Sequence, residues 1–175
     1  MPFTDFLRTT VLLCSGAATA LAVVAIVGAR ADDDTTALYV ALAWWGAAAL
    51  IGLWLGRRAA VTEGIGRLLA GARATQALPE LQPGAVIFNR LWALIALTLV
   101  SGGVAFLIPQ VPAIAAGYCL LLALAWRRQS RAVEAVEQRD GVRFWVEQSS
   151  PFRPTQLVRT PGFRRNEPAH HDVRA

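Results

Sequence analysis

A chain of 175 residues that is 55% hydrophobic and only 17% charged, with mean hydropathy +0.42, falls outside the range of soluble globular domains and into the integral membrane class. Its formal charge of +5 is carried by arginine alone, with no lysine, and sits in segments that flank apolar runs. The high pI therefore marks membrane flanks, and nucleic acid is not an expected partner.

The first apolar run, residues 9–29, follows a short leader in which Asp5 and Arg8 cancel. Ala29-Arg30-Ala31 resembles a signal-peptidase site, so a cleaved signal peptide is the rival reading. The apolar run exceeds the usual signal-peptide core and the leader is barely positive, which favours a retained helix. Leu13 stands before Cys14 where a lipoprotein would need a small residue. Arg30 against Asp32, Asp33 and Asp34 then gives residues 30–36 a net −2.

The second run, 37–56, ends at Arg57-Arg58. Ala48, Gly52 and Gly56 recur every fourth residue and make a small-residue stripe for helix packing, since close backbone approach must supply the contact where lipid surrounds every face. Residues 61–77 then change character. Val61, Ile65, Leu68, Leu69 and Ala72 follow helical spacing, with Glu63 and Arg67 elsewhere on the wheel, so an amphipathic helix lying at the inner headgroup layer is expected. Gly64-Ile65-Gly66 is no phosphate loop, because no strand precedes it and the third glycine is misplaced. Pro79 and Pro83 end the segment.

From Leu91 to Trp126 no Asp, Glu, Lys, Arg or His occurs. Pro109 and Pro112 divide this stretch into spans at 91–108 and 111–126. The first carries ten Leu, Ile, Val or Phe residues, worth roughly −3 to −6 kcal/mol toward insertion. Asn89-Arg90 and Arg127-Arg128 flank the hairpin at one end. Residues 57–90 hold five arginines against Glu63 and Glu80, net +3, and the segment from Arg127 onward holds ten against six acids, net +4. Arginine excess faces the cytoplasm, so both termini and the 57–90 loop are expected inside and residues 30–36 outside. Trp54, Trp92 and Trp126, with Arg57, Arg58, Arg90, Arg127 and Arg128, are the expected anchors at the inner interface. Trp44-Trp45 lie mid-span, where helix packing is the plain reading.

The last helix is expected to continue through Gln138 and to stop at Asp140-Gly141. Val142, Phe144 and Val146 alternate with Arg143, Trp145 and Glu147, a strand pattern. A second strand is expected at 155–159 between turn signals. Residues 166–175 carry no pattern and read as disordered, and His170-His171 lack metal-site spacing. Phe144, Trp145, Phe152 and Phe163 interleave with Arg153, Arg159, Arg164 and Arg165, a mixture typical of contact surfaces. This tail is the expected interaction site, with docking on its own chain as the alternative. On the interaction reading, truncation after Ser130 leaves the bundle intact.

The chemistry is sparse. The proposed spans contain no ionisable side chain for ion coupling and no haem ligands. Cys14 and Cys119 read as small buried hydrophobes. Thr98, Ser101, Gln110 and Tyr118 are packing or rim residues. Glu63, Glu80, Glu134, Glu137 and Asp140 have no catalytic neighbours at diagnostic spacing.

The expected fold is all-α integral membrane. Residues 1–128 form four transmembrane helices in two hairpins with a cytoplasmic amphipathic helix, and residues 129–175 form a basic helix-plus-β-hairpin tail. The expected function is that of a non-enzymatic accessory or scaffolding subunit of a bacterial plasma membrane, without cofactor or metal. Its expected partners are anionic lipid headgroups and another protein. A small carrier or flippase component for a lipid-linked or neutral substrate is the alternative.

Overall fold

The structure, a computed structural model, describes residues 1–32, 34–57, 61–74, 83–108, 110–147 and 156–161, apart from the side chains of Pro83 and Arg90. The first apolar run folds as α1, Phe3–Ala31, whose 29 residues span about 44 Å and exceed a hydrocarbon core of about 30 Å. The helix begins six residues before the apolar run. Phe3, Phe6 and Leu7 form a buried stripe there, while Arg8 stays exposed, and Asp5 in the first turn suits the positive helix end.

A short turn leads to α2, Thr35–Leu55, which Asp34 caps by accepting the Ala37 N–H through Oδ1 at 2.9 Å. The amphipathic helix α3 is Glu63–Ala70, shorter than the expected 61–77. It stops at Gly71, and Arg73–Ala74 are extended as β1. Helix α4 is Pro83–Val104. It ends four residues before the expected 108, where Gly102-Gly103 weaken the last turn and Pro109 disfavours helix in the residue before it. The Ile108 and Leu107 N–H groups both bond the Val104 carbonyl, forming a tight turn.

Helix α5, Gln110–Trp126, accommodates Pro112 in its first turn. It does not run straight on. Arg127 and Arg128 make a turn, and α6 follows at Gln129–Asp140, closed by Gly141 at φ 65 in the left-handed conformation. Strands β2, Val142–Val146, and β3, Leu157–Pro161, pair antiparallel, with β3 two residues beyond its expected place. Strand β1 adds to β3 in parallel through Arg73↔Val158 and Ala74↔Arg159, giving the order β1-β3-β2.

Among the described residues, three segments are long and apolar enough to cross a membrane: Phe3–Ala31, Thr35–Leu55 and Gln110–Asp140, with Leu91–Val104 a shorter apolar helix. Large apolar side chains cover the outside, among them Leu12, Tyr39, Leu50, Leu99 and Phe106, each at least 70% exposed. A surface of that kind would drive aggregation in water and fits a membrane protein.

Helix α5 lies between α1 and α2 and packs extensively on both, whereas α1 and α2 barely touch. It buries Ala115, Ala116, Gly117, Cys119 and Ala123, small residues that allow close approach on two sides. The hydroxyls of Thr10, Ser15, Thr19 and Thr98 each donate to the carbonyl four residues earlier, which satisfies them without a partner helix.

Candidate functional site

The two ends of the bundle differ in charge. One carries Asp32 and Asp34 against Arg30; the other gathers the remaining described arginines. At the arginine-rich end the first turns of α1, with α3, the start of α4, α6 and the sheet, close over one apolar cluster. Leu7, Ile65, Val86, Val133, Phe144, Val146 and Leu157 are all buried in it. The N-terminus joins the sheet as well. Pro2 bridges Trp145, and the Val146 N–H donates to the Met1 carbonyl at 3.0 Å.

The sheet meets this cluster with one face. Phe144 and Val146 of β2 lie on that face, with Leu157 opposite Val146, and none is more than 3% exposed. Side chains alternate along a strand, so Arg143, Trp145, Val158 and Thr160 occupy the other face. There the Trp145 Nε1–H donates to Thr160 Oγ1 at 3.0 Å, which fixes the indole across the outside of the sheet. Glu137 Oε1 accepts the Phe144 N–H at 2.9 Å and ties α6 to β2. Burial pushes the Glu137 carboxyl above its ordinary range, against the opposing pull of that hydrogen bond and of Arg143.

Ion pairs among the described residues engage Arg8 with Asp5 and Glu134, Arg67 with Glu63, and Arg139 with Asp140. Arg57, Arg73, Arg127, Arg128, Arg131, Arg143 and Arg159 are exposed and belong to none of these pairs. Arg128 Nη1 donates to the Arg57 carbonyl at 2.8 Å, and Gln129 Oε1 accepts the Thr62 N–H at 3.1 Å. The first bond holds the end of α5 to the end of α2, and the second holds the start of α6 to the start of α3.

Of the expected packing residues, Ala48, Gly52 and Gly56 are buried against α5. A Cβ at Gly52 would stand 2.9 Å from the Leu121 carbonyl oxygen, and one at Gly56 would collide with the Leu124 carbonyl oxygen. Of the expected anchors, Trp54, Trp92, Trp126, Arg57, Arg127 and Arg128 are exposed. Of the expected interaction residues, Phe144 is buried in the protein's own core, Trp145 is half-buried on the outer sheet face, and Arg159 is exposed on the core-facing side. Arg58, Phe152, Arg153, Phe163, Arg164, Arg165 and residues 166–175 lie outside the described residues, as does the Arg90 side chain.

Sequence reasoning missed Gly117, which receives the Trp44 indole, and the indole hydrogen bonds from Trp44 to the Ile114 carbonyl (3.2 Å) and from Trp45 to the Ala113 carbonyl (2.8 Å). The signal was present in a tryptophan pair at mid-span, where an indole N–H needs an acceptor.

No family model, curated protein or solved structure matches this chain. The geometry is therefore the only guide to function. Among the described residues no group of three or more His, Cys, Asp or Glu side chains could hold a metal ion. What the arrangement can do is present an exposed arginine beside a half-buried tryptophan from a sheet docked on a helical bundle.

Proposed function

We propose that the protein is a non-enzymatic accessory or scaffolding subunit of the plasma membrane, acting through the outer face of its sheet. In this reading α1, α2, α4 and α5 cross the membrane, and both termini, α3, α6 and the sheet lie in the cytoplasm. The apolar Leu91–Val104 covers about 21 Å, and the exposed Phe106, Leu107 and Ile108 extend it toward the roughly 30 Å of a hydrocarbon core. Orientation rests on the arginine excess at one end.

The observation that carries the role is the one-sided docking of the sheet. Its apolar face is spent on the bundle, while Arg143 and Trp145 remain on the other, and arginine with tryptophan is the pairing that dominates contact energies. Anionic headgroups of the inner leaflet fit the surrounding arginines, and a protein with an acidic surface fits the sheet face. A carrier or flippase component, the alternative, needs a polar path between spans. Among the described residues, Ala48 and Gly52 close the α2–α5 contact and Leu21, Ala116 and Cys119 close the α1–α5 contact, which favours the subunit.

The test replaces Arg143, exposed on the outer sheet face, with glutamine. Cross-linking in native membranes is expected to lose the partners recovered with the wild type, with an unchanged melting temperature in detergent. Recovery of the same partners at the same yield rejects the sheet face as the contact.

A further inference from the structure

At the aspartate end the bundle is not closed. Along α2 the residues facing α5 change from large to small: Trp44 and Trp45 at its middle, then Ala48, Gly52 and Gly56 toward its end. The small residues bring α2 against α5. The indoles, fixed by their bonds to the Ala113 and Ile114 carbonyls, leave space between α1 and α2 above them. The result is a cleft of about 530 Å³ between the last turns of α1, the first turns of α2 and the start of α5. That volume is in the range of small-molecule sites, as is a lining that is mostly apolar with few polar groups.

Those polar groups have one sign. Asp32 and Asp34 line the cleft with Thr36 and Gln110, and among the described residues no cation does. Arg30 is exposed outside the lining and pairs with neither aspartate among the described residues. Asp34 uses one oxygen to cap α2 and keeps the other. Helix ends act in the opposite sense, because α2 and α5 both begin here. Their two N-termini contribute about +0.5 each and the C-terminus of α1 about −0.5. The sum is about +0.5 against two full negative charges, so the cleft stays negative. An apolar interior with fixed indole rings and a carboxylate mouth suits a cation that carries its own apolar body.

We infer that this cleft is a binding site for a lipophilic organic monocation, with its charge at Asp32 and Asp34 and its apolar part against Trp44 and Trp45. The site faces away from the sheet, so it stands or falls independently of the subunit role. The probes are tetraphenylphosphonium and tetraphenylborate, of the same shape and opposite charge, applied to the full-length protein in neutral detergent with protein-free micelles as the blank. Equilibrium dialysis is expected to show saturable one-to-one binding of the cation and none of the anion. Asp32→Asn with Asp34→Asn, which retains a helix cap, is expected to weaken it tenfold or more. Ala29→Phe, which fills the cleft without changing charge, is expected to weaken it to a similar degree. Asp32→Asn alone, at an exposed position, replaces the double variant if that one does not fold. Equal binding of both ions, unaffected by the aspartates, would make the cleft a groove for acyl chains and overturns the proposal. So does cation binding that Ala29→Phe leaves intact, since the ion would then sit on the surface, and so does the absence of saturable binding.

Discussion

Two glycines of α2, only six positions apart, are expected to behave differently when given a side chain. Gly46 has nothing within 4 Å of a built Cβ, whereas at Gly52 that atom would meet the Leu121 carbonyl oxygen and Leu124 Cβ at 2.9 Å. Backbone cannot rotate away as a side chain can, so α2 itself must move. Gly52→Ala is expected to cost about 1–3 kcal/mol, and Gly52→Leu more. Gly46→Ala is expected to be neutral or slightly stabilising, because alanine favours helix. Melting in detergent distinguishes the two, and equal temperatures would mean that the Gly52 face merely meets lipid. Glu137 gives a pH-dependent counterpart. Its folded carboxyl titrates above the ordinary 4.5 because burial disfavours the anion. The stability it contributes is therefore fully present below about pH 4.5 and lost as pH rises through the folded value. Glu137→Gln keeps an acceptor for the Phe144 N–H, and is expected to melt at or above the wild type at neutral pH and level with it in acid. A variant that is less stable at pH 7 than at pH 4, relative to wild type, contradicts the burial argument.

At the scale of elements, the sheet matters more for what it seals than for its own hydrogen bonds. Two strands and a two-residue third are marginal alone, and their stability comes from the cluster shared with α1, α3, α4 and α6. Phe144→Ala removes a ring that is 3% exposed, and is expected to cost about 3 kcal/mol or more. The loss should appear as faster amide exchange in β2 and β3, with the α1–α5 contact retained. Arg143→Gln, on the other face, is expected to change neither. This geometry also alters the expectation for truncation after Ser130. The cut removes Val133, Phe144, Val146 and Leu157 from a cluster that includes Leu7 and Val86, so it exposes the bundle's own core. Point substitutions on the outer face separate contact from folding where truncation does not.

For the whole molecule, the arrangement groups Met1, α3, the start of α4 and the sheet at one end, with Asp32, Asp34 and Gln110 at the other. One orientation in the membrane then fixes the sides of every segment at once. Single cysteines at positions 30 and 143, in a background with Cys14 and Cys119 replaced by alanine, are expected to label from outside and from inside intact cells, respectively. Outside labelling at 143 would reverse the cytoplasmic placement of the sheet and with it the proposed partner side.

The sequence by itself determined the apolar runs, their lengths and their charged flanks. Insertion into lipid depends on summed hydrophobicity and flanking charge, both local quantities. It also determined the β2 alternation and the stop at Gly141, which are backbone preferences of a few adjacent residues. What it could not determine is which helices touch. α2 and α5 are apolar around their whole circumference, so no polar face marks the lipid side. The small-residue stripe marked a packing surface of α2 without naming α5 as its partner. Chain order suggested hairpin neighbours, yet α5 separates α1 from α2, because its own small residues permit close approach on two sides. The same limit applies to β1 and to the first turns of α1. Arg73–Ala74 is extended where β3 lies beside it, and Phe3–Arg8 is helical where its apolar stripe has the sheet and α6 to cover it. The cleft is likewise a tertiary product. It lies where α5 separates α1 from α2, with the two α2 indoles bonded to the start of α5.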